Sequence, residues 1–100
     1  MNVKIEETDG KYVVTLEGEM DTAAALEAEE VLKPIYNSNG KDVIIDCTNL
    51  EYISSSGLRI LLSILKGAKA NGCKVVMRGV NDDIKNVFKL TGFISIFDFE

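Results

Sequence analysis

The stretch YISSSGLRILLSILKGAKANGCKVVMR, Tyr52 to Arg78, decides the fold. Three serines and a glycine stand directly before a strongly apolar run. Asn71-Gly72 then breaks the run, and Lys74-Val75-Val76-Met77-Arg78 has the look of a buried strand. Serine is a preferred helix cap because its oxygen accepts one of the orphan N–H groups of the first turn. Ser54 or Ser55 therefore starts a helix expected to end near Asn71-Gly72. At about 100° per residue, Leu58, Leu61, Leu62, Leu65 and Ala68 share one face, and Arg59, Ser63, Lys66 and Ala70 lie opposite. Upstream, Asp42-Val43-Ile44-Ile45-Asp46-Cys47 sets three β-branched apolar residues in a row. That is how a strand buried on both faces of a parallel sheet reads.

The flanks extend the same alternation of strand and helix. Val3 and Ile5 alternate with polar neighbours, as do Tyr12, Val14 and Leu16. Thr8-Asp9-Gly10-Lys11 between them is a turn, so the two runs form a hairpin. Gly18-Glu19-Met20-Asp21 then leads into TAAALEAEEVL, capped by Asp21 or Thr22. Ala24, Leu26, Ala28, Val31, Leu32 and Ile35 are the expected apolar stripe of that helix, and Pro34 kinks or ends it. After the second buried strand, Asn81 caps a third helix with Asp82 and Asp83 in its first turn, where the helix dipole favours acids. Ile84, Val87, Phe88 and Phe93 are its expected core contacts, and Gly92 ends it. Ile94 to Phe99 reads as a short last strand or a tail. The order is ββαβαβαβ, one α/β domain over residues 1–100 with a mixed, mostly parallel sheet and right-handed crossover helices.

Composition narrows the chemistry. The net charge is −5 and the basic residues are scattered, which disfavours direct binding to nucleic acid or to an anionic membrane surface. No apolar stretch is long enough to span a bilayer, and the N-terminus is not a signal peptide, so the expected location is the cytoplasm. Cys47 and Cys73 read as reduced, small buried residues. The chain has no histidine, so Ser–His and Cys–His nucleophile pairs cannot be built, and no zinc set is complete. The phosphate-cradling motifs GxGxxG and GxxxxGK[ST] are absent. No cofactor or metal is expected, and an enzyme built on Asp21, Asp46 and Ser55 would lack an activated nucleophile.

The serine cluster admits two readings. In one it is only a helix cap, with Gly57 allowing close packing. In the other, its place after the carboxyl end of a buried strand makes it a site. The free N–H groups of a helix start stabilise a phosphate there without local basic residues. The helix itself is apolar over an arc wider than one-sided burial needs. Either it is wedged deep in the domain, or Gly57, Ile60, Ile64 and Gly67 form a flat strip for a partner.

These residues resemble the STAS family of bacterial anti-sigma factor antagonists over essentially the whole chain. Gly18-Glu19-Met20-Asp21 is similar to the family's loop between second strand and first helix. Val43-Ile44-Ile45-Asp46 is similar to its buried strand ending in aspartate. Ser54-Ser55-Ser56-Gly57-Leu58 matches its signature loop, with Ser54 where the family usually has aspartate, and Leu90-Thr91-Gly92-Phe93 looks like its late helix end. The resemblance implies that Ser55 is the phosphoacceptor, with Ser54, Ser56, Gly57 and Asp21 forming its loop. It also implies a binding partner that is both anti-sigma factor and serine kinase, and a phosphatase that reverses the modification. Arg59, Ile60 and Ile64 are the expected partner surface, on a domain that is monomeric when free. The alternative within the family is a scaffold or transporter-accessory subunit without a phosphorylation switch.

Overall fold

The structure is a computed structural model that describes the backbone of residues 1–100 and every side chain except that of Ser38. β1 (Asn2–Thr8) and β2 (Lys11–Met20) form an antiparallel hairpin. Asp9 and Gly10 join them with φ of 52° and 75°, the paired positive values that a tight primed turn needs. Then follow α1 (Thr22–Leu32), β3 (Val43–Ile53), α2 (Ser55–Ala70), β4 (Val75–Arg78), α3 (Asp82–Thr91) and β5 (Asp98–Phe99). The five strands lie in chain order, and β2, β3, β4 and β5 pair in parallel. This is the expected mixed α/β sheet in the expected ββαβαβαβ order.

The strands are not buried on both faces. Val14, Leu16, Val43, Ile45, Cys47, Val75 and Met77 are at most 1% exposed and look toward the helices. Their neighbours Val13, Thr15, Ile44, Asp46, Val76 and Arg78 are only half-buried. Val13, Ile44 and Val76 stand in register across β2, β3 and β4. Cross-strand contact of this kind shelters apolar side chains without a covering layer. A run of β-branched residues thus served one open face as well as one core face.

α1 departs from its expected stripe. Ala25, Ala28, Leu32 and the following Ile35 are buried, at helical spacing. Leu26 and Val31 are exposed, 68% and 43% respectively. Small alanines let the helix approach closely, so the larger apolar residues were displaced to the outside. Pro34 sits in a single 3-10 turn, Lys33–Ile35, that ends the helix as expected. Gly18-Glu19-Met20 is strand rather than loop. β2 runs on to Met20 through two irregularities in its pairing with β3, and Gly18 takes a φ of 100° there.

The wide apolar arc of α2 is covered by the chain itself. Ile60 is 4% exposed and Ile64 fully buried, so neither presents a flat strip to a partner. α1 packs on this side, and burying each isoleucine stabilises the fold by roughly 1.5–3 kcal/mol. Gly57 and Gly67 belong to the same internal seam. A Cβ on Gly57 would lie 2.6 Å from the Met20 sulfur, and one on Gly67 would lie 1.4 Å from the Tyr36 carbonyl oxygen. α3 is capped by Asn81 as expected, whose Oδ1 accepts from the Ile84 amide at 2.8 Å. Ile84 and Phe88 are buried, with Val87 and Phe93 half-buried. Phe88 stacks on Phe97 with ring centroids 5.5 Å apart. Cys47 is buried and its thiol is pushed up to about 12 by that burial, whereas Cys73 is only half-buried.

Candidate functional site

β2 and β3 end side by side, with Met20 paired to Ile53. Each strand passes through a single residue into a helix. Asp21 caps α1, its Oδ1 accepting from the Ala24 amide at 2.8 Å. Ser54 caps α2, its Oγ accepting from the Gly57 amide at 3.2 Å. The Ser54 amide donates to the Met20 carbonyl at 2.8 Å, which ties the two junctions together. Two helix N-termini, each with its partial positive charge, therefore open at one edge of the sheet.

The serines divide by position along the first turn. Ser54 is 8% exposed and its hydroxyl is committed to the cap. Ser55 is the first helical residue and is exposed. Ser56 is half-buried and lines a cleft. Gly57 lies under Met20 and Ile53, where no side chain fits without movement. Ser54→Ala removes the cap and is expected to cost about 1 kcal/mol in urea denaturation. A loss below a few tenths would show that the Gly57 amide finds another partner.

The cleft, of about 240 Å³, lies between α1 and α2 and is lined by Ala25, Leu26, Glu29, Ser56, Arg59, Ile60 and Ser63. Ile60 forms its apolar wall rather than an exposed surface, and Ile64 lies beneath in the core. Arg59 is exposed and belongs to none of the ion pairs among the described residues, which are Lys33–Glu30, Lys41–Glu7 and Arg78–Glu100. On the far side of the α1 N-terminus, Glu19, Asp21, Glu27 and Glu51 line a shallow depression. Ser56 and Arg59 thus line the cleft, Ser55 is exposed on the first turn of α2, Asp21 lines the depression, and Ser54 and Gly57 lie buried beneath the turn. Leu26, Glu29 and Ser63 also line the cleft, and periodicity could not have placed them there, because their facing depends on how α1 crosses α2.

Asp46 is not part of this site. It lies seven residues before the end of β3, roughly 23 Å along the strand. Its Oδ1 accepts from the Thr48 hydroxyl at 2.6 Å and from the Thr48 amide at 3.0 Å. The Thr48 hydroxyl bond holds its carboxyl below the usual range against the opposing pull of burial. Among the described residues, no group of three or more His, Cys, Asp or Glu side chains could hold a metal ion. No described helix is long and apolar enough to cross a membrane.

A family model described as the STAS domain matches residues 2–100. The chain belongs to the STAS domain family. It is 35% identical over 94 residues to the anti-sigma-B factor antagonist of Staphylococcus aureus, covering 92% of this chain and 87% of that protein. An anti-sigma factor antagonist from Mycobacterium paratuberculosis is 28% identical with a TM-score of 0.80, covering 98% of this chain and 83% of that one. The Bacillus cell fate determinant SpoIIAA in its phosphorylated form is 18% identical with a TM-score of 0.75, covering 99% and 91%, and shares the fold. The STAS resemblance read from Gly18–Asp21, Val43–Asp46, Ser54–Leu58 and Leu90–Phe93 therefore holds across the chain. In this STAS domain the signature loop is the start of α2, and the family's anti-sigma antagonists are binding modules rather than enzymes.

Proposed function

We propose that this STAS domain is an anti-sigma factor antagonist that works by partner switching. With Ser55 unmodified it binds an anti-sigma factor that is also a serine kinase, so that sigma is released. Phosphorylation of Ser55 ends that complex, and a phosphatase restores the free hydroxyl. The domain acts in the cytoplasm, is a monomer when free, and performs no turnover of its own. The observation that carries this reading is the exposure of Ser55 at the first position of α2, beside a buried, hydrogen-bonded Ser54 and a half-buried Ser56. A phosphate there meets the unpaired amides of the first turn and the positive helix end. In the transfer, Ser55 Oγ attacks the γ-phosphorus of ATP, its proton passes to the kinase's base, and ADP leaves. The name of the Staphylococcus aureus relative supports the assignment to sigma control.

Intact-mass measurement after co-expression with the kinase-type anti-sigma factor of the same genome tests it. One added phosphate is expected on the natural chain and none on Ser55→Ala. Full modification of Ser55→Ala would move the acceptor to Ser56. A complex that forms without any phosphate being added would favour the scaffold reading.

A further inference from the structure

We propose that Arg59 is the built-in receiver of the Ser55 phosphate, and that its capture removes a cation from the α1–α2 cleft as the switch is thrown. The inference rests on Ser55 being the acceptor and adds how the modification is read out. Ser55 and Arg59 are four residues apart on one continuous helix, and both are exposed. That spacing stacks them one turn apart, with roughly 5–6 Å between Cβ atoms. An arginine side chain spans such a gap readily, and its guanidinium makes paired hydrogen bonds to phosphate oxygens.

Three observations single out Arg59. It has no ion-pair partner among the described residues, so capture breaks no existing bridge. It is the only basic residue lining either the cleft or the neighbouring depression. Every other charged side chain there is a carboxylate: Glu29 in the cleft, and Glu19, Asp21, Glu27 and Glu51 in the depression, which also holds Met1 at the chain's amino end. A dianion on Ser55 therefore has one cationic side chain to find and several acids to avoid. In the unmodified domain Arg59 lines the cleft with Leu26, Ser56 and Ile60, where it can pair with a partner's carboxylate. When it turns to the phosphate, the cleft keeps its apolar wall and its glutamate but loses its cation. Phosphorylation then does two things at once: it installs negative charge at the rim and it withdraws the positive contact inside.

The test uses full-length protein with phosphoserine placed at position 55 by genetic encoding, so that it does not depend on any kinase. Phosphorus NMR follows the second ionisation of the phosphate in the natural chain, Arg59→Gln and Arg59→Lys. At low salt the midpoint should lie about half a pH unit lower in the natural chain than in Arg59→Gln, since an opposite charge favours the dianion. Arg59→Lys should fall between them, and the difference should shrink by 0.5 M salt through screening. Equal midpoints in all three proteins at low salt would overturn the role of Arg59. That result would leave the Ser55 assignment standing, because the assignment fails only if the cognate kinase does not modify Ser55. Circular dichroism of each variant confirms that the midpoints compare folded proteins.

Discussion

Gly67→Ala is expected to destabilise the domain by about 3 kcal/mol or more, although alanine is the better helix former. Two effects compete at this position. Helix propensity favours alanine over glycine by about 1 kcal/mol. Sterics oppose it, because the added methyl would sit 1.4 Å from the Tyr36 carbonyl oxygen, 2.5 Å from its carbon and 3.0 Å from the Asn37 Cα. These are backbone atoms, so no rotamer change relieves the clash, and α2 or the turn after α1 has to move. That turn is also fastened to the helix by hydrogen bonds from the Asn71 amide group to the Asn37 and Gly67 carbonyls. Moving it disturbs the seating of α1 on Ile60 and Ile64. For a domain of this size, a loss of this order lowers the melting temperature by roughly 12 °C or more. Thermal unfolding by circular dichroism decides the matter: a melting point equal to or above that of the natural chain would mean that α1 and α2 are not held at this distance.

Phosphorylation of Ser55 should weaken binding of the kinase partner by roughly 30-fold to several-thousand-fold while leaving the sheet untouched. The phosphate adds about −1.5 to −2 charges at neutral pH. Within the free domain the terms are small and opposed. The helix end favours each charge by roughly 0.3–1 kcal/mol, and Asp21, the α1 cap, and Glu51, four residues before Ser55 in the chain, act against it. In an interface the same dianion loses its water, and a buried charge without a partner costs on the order of 2–5 kcal/mol. Converted to affinity, that gives the stated range. The local structure offers no path for a larger change, because Ser54 is tied to both Met20 and Gly57 and has no slack to pass on. Amide NMR shifts should be confined to the Asp21 region and to residues Ile53 to Leu61. Displaced signals at Val14, Ile44 and Val76, spread across β2, β3 and β4, would show that phosphate acts by rearranging the sheet.

What could be read from residues alone was whatever depends on local chemistry. Ser54 and Asn81 were recognisable as caps because cap preference is set by a side-chain oxygen and amides three residues on. The exposure of Ser55 follows once the cap is placed. The errors all concern contacts between elements far apart in sequence. Ile60 and Ile64 looked surplus to burial because nothing in α2 announces that α1 will lie across it. Leu26 and Val31 looked like core because they are large, whereas Ala25 and Ala28 are what the close approach of two helices selects. β3 was judged too short because Thr48, Asn49, Glu51 and Tyr52 are polar or exposed, while their backbone pairing to β2 continues to Ile53.

The direct passage from Ile53 through one cap residue into α2 also bears on how Ser55, as the proposed acceptor, would be recognised. Most serines offered to kinases lie on slack chain that can be drawn out into an active site. Ser55 cannot be drawn out without undoing the cap, the Met20 contact and the seat of Gly57. An enzyme that modifies it has to accommodate a rigid, folded corner, and the string SSSGL elsewhere in a proteome would not compete. On the proposed reading the address is written in three dimensions, so a chain that lost its fold would cease to be a substrate, and only intact protein would be counted by the switch.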